Sequence, residues 1–208
     1  NKDIFIRELI SNCSDSLNKL QQMESTEPGL YKIQINPDNN NKILTISDNG
    51  IGMNKKELIE NIGTIAKSDT ELHRQKQTLD KNHDENNMIG KFGVGFYSVF
   101  LVADKVQIIT RSYYDNKYTW LWESDSVGSY RITKISDNDI LHGCTINVYL
   151  KKESFDYLDI FKIRDIIKKH SQYINYTIEL LVPNKISKGD KKKQQDYFFE
   201  NDDKQNDD

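Results

Sequence analysis

The sequence predicts an α+β fold, a two-layer sandwich in which a mostly antiparallel sheet is covered on one face by helices. Three observations predict it. An amphipathic helical period opens the chain, and strand-like runs joined mostly by short turns fill much of the remainder. The helices are grouped at the start and middle, not interleaved with every strand as a parallel sheet would require.

From Asp3 to about Glu24 the residues follow a helical period. At about 100° per residue, Phe5, Ile6, Leu9, Ile10, Cys13, Leu17 and Leu20 cover one broad apolar arc. Arg7, Ser14 and Asn18 lie opposite and are expected to face water. Glu8, Asn12, Asp15 and Lys19 form a narrow polar stripe at the border of the arc. The ordinary reading of such a stripe is a solvated edge with some ion pairing; it also suits the wall of a cleft.

Two strand-like runs follow, "LYKIQINP" and "NKILTISD", joined by an Asn/Asp-rich turn. The second ends at Asp48, with Gly50 and Gly52 behind it and a helix predicted from near Asn54. A carboxylate at a strand end before a glycine-loosened turn is well placed at a pocket floor. The polar segment from about Asp69 to Asn87 reads as a lid or a long surface loop. Beyond it come "KVQIITRSYY", "KYTWLWESD", "GSYRITKI" and "CTINVYLKK", rich in β-branched and aromatic residues. An amphipathic helix, "DIFKIRDIIKKHSQYI", and a last strand, "TIELLVP", complete the domain, which we bound at residues 1–183. Residues 184–208, charged and nearly devoid of aliphatic side chains, are expected to form a disordered linker.

The 208 residues are 36% hydrophobic and 29% charged, enough for one substantial core. A net charge of -3 gives no pull toward nucleic acid or an anionic membrane surface. No run approaches the ~20 apolar residues of a membrane span. Cys13 and Cys144 provide neither a disulfide framework nor metal-ligand spacing and are compatible with a reducing compartment. Because the chain opens at Asn1 inside an apparent helix, we read it as a piece of a longer protein.

In "MIGKFGVGFYSVFLVADKV", Gly90, Gly93 and Gly95 fall within six residues, just where a helix is predicted to begin. Glycine in a packed segment gives up the most backbone freedom, so something must approach this backbone closely. A tight turn with close helix-on-sheet packing is one possibility. A dinucleotide fingerprint is excluded because Ser98 stands where its third glycine belongs and no parallel unit surrounds it. The stretch also lacks the G-K-[ST] ending of a Walker loop. Backbone N–H groups at a glycine-opened helix start remain suited to phosphate oxygens.

Taken together, "IRELISNCSDSLNKL", "ISDNGIGM", "IGTIAKSDT", "GKFGVGFYSVFLVADKV" and "KKHSQYINYTI" resemble, in order, successive blocks of the N-terminal ATPase domain of heat-shock protein 90 chaperones, from Asn1 to about Val182. The asparagine, the D-x-G-x-G and a glycine motif are shared with gyrase, MutL and histidine kinases, the GHKL superfamily with its Bergerat ATP-binding fold. The full "GTIAKS" and "FGVGFYS" blocks are specific to the chaperones.

The resemblance implies a site for ATP or ADP with Mg2+. Asn12 matches the Mg2+ ligand, an amide oxygen sufficient beside phosphates and water. Glu8 matches the general base that orients the attacking water. Asp48 matches the acceptor of the adenine amino group. Gly52 and Met53 belong to the same wall, and Asn61 with Ile62 to the sugar and phosphate side. Gly90, Lys91, Phe92, Gly93, Val94, Gly95 and Phe96 form the phosphate loop, Lys67 lies in the lid hinge, and Asp15 and Lys19 continue the α-helical stripe into the cleft.

Three positions depart from the family pattern. The threonine that completes the adenine water network falls on Cys144, with Thr145 as the alternative under a one-residue shift. Asp69 replaces a hinge glycine, which implies altered lid motion, and Lys91 replaces a glutamine. The function implied is that of an ATP-dependent molecular chaperone in which slow hydrolysis drives lid closure and a dimer clamp. Implied partners are client proteins, co-chaperones and a second copy in the full-length protein, the isolated domain being a monomer, with no nucleic acid and no membrane. In the family an arginine of a following domain completes the active site, and a strand precedes Asn1. Alternatives are a MutL- or gyrase-type DNA-processing ATPase and a non-hydrolysing nucleotide sensor. "STEPGLY", "NNMIGKFG" and "FLVADKV" resemble organellar members of the family (plastid, endoplasmic reticulum, mitochondrion) more than cytosolic ones.

Overall fold

Alternation in the strand-like runs turns one face of a single sheet inward. The computed structural model describes residues 2–23, 30–63, 95–126, 129–136, 140–170, 174–182 and 195–199. Helix α1 (Ile4–Gln21) is followed by β1 (Lys32–Asp38), β2 (Ile43–Asp48) and helix α2 (Lys55–Ile62). A 3-10 helix (Phe96–Leu101) leads into β3 (Ala103–Arg111), β4 (Thr119–Ser126), β5 (Ser129–Ile135) and β6 (Gly143–Leu150). A second 3-10 helix (Lys152–Leu158), helix α3 (Ile160–His170), β7 (Thr177–Val182) and β8 (Gln195–Phe199) complete the order.

The eight strands run β5-β4-β3-β6-β2-β1-β7-β8. All neighbours are antiparallel except β1 and β7, so the mostly antiparallel, one-face-covered α+β arrangement read from the sequence is the observed one. The register lines up Trp122, Ile108, Ile146, Ile46, Ile35 and Leu180 in one row across six strands. All six are buried, as period-2 alternation with one solvated face demands. Helix α1 closes this face with Phe5, Ile6, Leu9, Ile10, Cys13, Leu17 and Leu20, every one buried. The other face carries hydrogen-bonded polar pairs. Thr45 Oγ1 donates to Asn147 Oδ1 at 2.9 Å, and Tyr149 Oη donates to Gln107 Oε1 at 2.8 Å. Lys105 Nζ pairs with Glu123 Oε2 at 3.0 Å.

Three local expectations need correction. Ser14, expected to face water, is buried. It lies one turn from both Ile10 and Leu17, and α1 packs on α3 as well as on the sheet, so the covered arc is wider than the apolar residues mark out. The helix expected to open at Gly93 to Phe96 is a short 3-10 turn beginning at Phe96. Finally, residues 195–199 of the expected linker form β8, an edge strand antiparallel to β7. There the sequence "QDYFF" supplies aromatic, β-favouring residues that outweigh the charged surroundings.

Helix α2 starts where its sequence says it should. Asn54 Oδ1 accepts from Glu57 N at 3.0 Å while Glu57 Oε2 accepts from Asn54 N at 2.8 Å, a reciprocal capping box. Among the described residues no helix is long and apolar enough to cross a membrane.

Candidate functional site

Asp48 ends β2 on the same face as Leu44 and Ile46, so its side chain points toward α1. Ser16 Oγ donates to Asp48 Oδ1 at 2.8 Å, and the Gly50 N–H donates to the same oxygen at 2.9 Å. The Cys13 thiol also hydrogen-bonds the carboxylate. Across the ladder Asp48 pairs with Cys144. The side chain is closely surrounded yet keeps a partial solvent face.

That enclosure has electrostatic consequences. Desolvation lifts the Asp48 pKa from 3.8 to about 6, opposed by the hydrogen bonds from Gly50, Ser16 and Cys13 and by the field of His142. Burial, reinforced by the Asp48 charge, also pushes the Cys13 and Cys144 thiols well above their ordinary value. Both cysteines are free and buried.

The turn after Asp48 is held from several sides. Ile51 N donates to Ser16 O at 3.3 Å, and Tyr113 N donates to Ile51 O at 2.7 Å. His142 Nδ1 lies 2.8 Å from Gly50 O, and since a carbonyl only accepts, that nitrogen carries the proton. Gly52 sits at φ +62°, and a Cβ there would stand 1.9 Å from Arg111 O. Only glycine meets both conditions. Met53 N then donates to Thr110 Oγ1 at 2.9 Å, and Thr110 Oγ1 donates to Gly143 O at 2.9 Å. Thr110 thereby ties the turn to the start of β6. Met53 is half-buried against the core, and Asn61, exposed, places Nδ2 3.8 Å from its sulfur. Ile62 is buried, and its carbonyl accepts from Tyr97 Oη.

The polar stripe of α1 reaches the glycine motif through Glu8. A Cβ at Gly95 would fall 2.2 Å from Glu8 Oε2, so the half-buried carboxylate packs directly on that backbone. Gly95 itself has φ -61° and ψ -39°, ordinary right-handed values. The glycine is needed there for closeness, not for a special dihedral. Arg7, exposed as expected, brings Nη2 to 2.9 Å from Glu8 Oε1. Asn12, Asp15 and Lys19 are exposed along the same helix.

The structure thus brings Glu8 to Gly95 and Asp48 to Cys144, with Gly52 and Met53 in the turn after Asp48, Asn61 beside Met53, and Ile62 and Phe96 each packed against Tyr97. The register separates the two candidates on β6. Cys144 faces Asp48, whereas Thr145 pairs with Ser47 on the opposite, polar face. Lys67, Asp69, Gly90, Lys91, Phe92, Gly93 and Val94 lie outside the described residues. Ser16, Thr110 and His142 escaped the sequence reading. Ser16 lies four residues after Asn12 and so falls on the marked stripe; Thr110 and His142 carry no local signal.

Comparison with known proteins agrees with this layout. Residues 5–153 match the family described as histidine kinase-, DNA gyrase B- and HSP90-like ATPase, and the chain belongs to that family. A chaperone protein HtpG of Wigglesworthia glossinidia brevipalpis is 45% identical over 198 residues, covering 92% of this chain and 30% of that protein. An endoplasmin homolog of Hordeum vulgare is 42% identical over 195 residues, covering 89% of this chain and 24% of the relative. An endoplasmin homolog of Caenorhabditis elegans is 41% identical over 189 residues, covering 86% and 24%. Within the family the chain is therefore an N-terminal ATPase domain of the HSP90 kind, and it spans about a quarter to a third of the length of these relatives. HtpG proteins and endoplasmin homologs match at nearly equal identity.

Proposed function

We propose that this chain is the nucleotide-binding and ATP-hydrolysing module of an ATP-driven molecular chaperone. The observation that carries the reading is that one helix, α1, meets both the Asp48 turn and the glycine motif. Its Cys13 and Ser16 meet Asp48, while its Glu8 packs on Gly95 at the foot of the glycine motif.

The residues fit the ligand. Asp48 offers a partly exposed carboxylate acceptor, which selects an exocyclic amino group such as that of adenine and disfavours a carbonyl at that edge. Gly52 and Met53 form the wall beside the base, with Asn61 and Ile62 toward the sugar. In this reading the backbone N–H groups of the glycine motif, of which Gly95 and Phe96 are described, would take the phosphate oxygens. Glu8 is the general base: hydrogen-bonded to a water, it orients that nucleophile and accepts its proton.

Asn12, exposed one turn from Glu8, would contribute an amide oxygen to Mg2+, and Asp15 and Lys19 extend the polar wall. Bound there, the ion would neutralise charge on the triphosphate. Lys67 and the loop from Gly90 to Val94 complete the phosphate side in this reading. Arg7 Nη2 pairs with Oε1 of Glu8, the proposed base, at 2.9 Å. Client proteins and co-chaperones are the partners, and a second copy closes on the first in the full-length protein. The nucleotide-binding domain is assigned to residues 1–183, with β8 (Gln195–Phe199) added along the edge of its sheet.

Calorimetric titration of ATP and ADP, with and without Mg2+, into the chain and its Asp48→Asn variant tests the reading. Mg2+-dependent ATP binding that disappears in the variant is the expected result. Absence of binding to the parent chain would overturn it.

A further inference from the structure

We propose that Ser16 is the positioning residue that decides which oxygen of Asp48 is left for a ligand. The inference rests on the nucleotide reading and goes beyond it, because it assigns base recognition to a residue outside the D-x-G-x-G turn.

Ser16 Oγ and the Gly50 N–H approach Asp48 at 2.8 and 2.9 Å, and both choose Oδ1. Two donors on one carboxylate oxygen fix the rotation of the group and leave Oδ2 without an N–H or O–H partner from either. Gly50 alone would not hold this geometry. It binds through the backbone of the turn that Asp48 itself opens, whereas Ser16 stands on a packed helix between buried Leu17 and Cys13. The fit is tight. A Cβ on Gly50 would come within 2.2 Å of Ser16 Oγ and 2.8 Å of Asp48 Oδ1. The Ser16 carbonyl also accepts from Ile51 N at 3.3 Å, so one residue of α1 clamps both the carboxylate and the turn behind it.

The remaining groups facing Asp48 cannot substitute. From α1 comes the Cys13 thiol, and from β6 the Cys144 thiol, both weak donors. His142, ahead of β6, spends Nδ1 on Gly50 O and reaches Asp48 only through its field. Ser16 is thus the one side-chain hydroxyl among the described residues that donates to the carboxylate. Its hydrogen bond favours the ionised form, in the direction opposite to burial. Without it, Asp48 would hold its proton to higher pH and would be freer to rotate. A protonated, rotated carboxyl presents a donor, and so would accept a 6-oxopurine where the ionised, fixed one accepts only an amino group.

The test has two independent readouts on the 208-residue chain and its Ser16→Ala variant. Carbon-13 titration of the Asp48 carboxyl, without nucleotide, should show the midpoint moving upward in the variant. Titrations of ATP and inosine triphosphate should show ATP weakened about tenfold near pH 6, with less loss in alkaline solution and a narrowed preference for ATP over the 6-oxo analogue. An unmoved Asp48 midpoint with an unchanged ATP-to-inosine preference would overturn the assignment to Ser16. Failure of the parent chain to bind either nucleotide would instead overturn the reading of the site, while the carboxyl midpoint would still judge the Ser16–Asp48 bond.

Discussion

A methyl group added at position 95 would lie 2.2 Å from Glu8 Oε2, so the glycine of the motif and the carboxylate of α1 fill one another's space. Gly95→Ala therefore acts on Glu8. The clash is with the far end of a side chain that can swing toward water, so the fold survives while the carboxylate leaves its place. We expect turnover to fall by about 10²-fold or more, as for loss of a positioned general base, with ATP affinity nearly intact. Glu8→Ala is the reference: it should abolish turnover and keep binding. Steady-state hydrolysis paired with calorimetry reads both, and an alanine at 95 that turns over like the parent would refute the coupling.

Asp48 should make nucleotide binding pH-dependent. Its carboxyl titrates at about 6 because burial strips it of water. An amino donor needs the ionised form, so ATP affinity should hold above about pH 7 and fall as pH drops through about 6, roughly tenfold per unit below that. Stability without nucleotide has the opposite sign. Between 3.8 and about 6 the folded chain keeps a proton that the unfolded chain releases. Asp48 thus contributes stability at low pH that is lost as pH rises through about 6. Asp38 and Glu123, whose pKa values are lowered by hydrogen bonds, impose the reverse slope. Comparing denaturant unfolding of the parent with Asp48→Asn cancels that background; parallel curves across the window would rule out the shift.

Cys144→Thr should tighten ATP. The ladder sets residue 144 opposite Asp48, and a hydroxyl there donates and accepts more strongly than a thiol. One added neutral hydrogen bond corresponds to about 0.5–1.5 kcal/mol, a gain of up to roughly tenfold. A dissociation constant equal to the parent's would sink this idea.

Gly52→Ala should unfold the turn. It forces a side chain into φ +62° and onto Arg111 O, a backbone atom that cannot step aside. We expect a loss of about 2–4 kcal/mol in chemical denaturation. A loss under about 1 kcal/mol would show that the turn relaxes.

Much of this architecture was legible in the chain because its signals are local. Alternation in "KILTISD" and "CTINVYLKK" marked two strands of the sheet, and the period of α1 named the residues that fill the core. Glu8 and Asp48 stood out because each belongs to a short motif. What escaped depends on the meeting of distant segments. Ser16 looks like one more polar residue of a helix until the end of β2, 32 positions away, is set beside it. Thr110 matters only because β3 lies beside β6, and His142 only because β6 lies beside β2. The choice between Cys144 and Thr145 is a question of register, which no single strand can answer.

The β2–β6 pairing also sets an order of events in the life of the chain. Asp48 and Cys144 lie about a hundred residues apart yet sit side by side at the pocket floor. A contact of such long range must wait for a large loop to close, and it slows folding more than it affects stability. During synthesis, α1, β1 and β2 leave the ribosome with half a floor, and β6 must follow before Asp48 gains its neighbour. Nucleotide, by this reasoning, cannot guide the early collapse of the domain. It can only reward a chain that has already threaded β6 between β2 and β3, which makes binding competence a late checkpoint of folding.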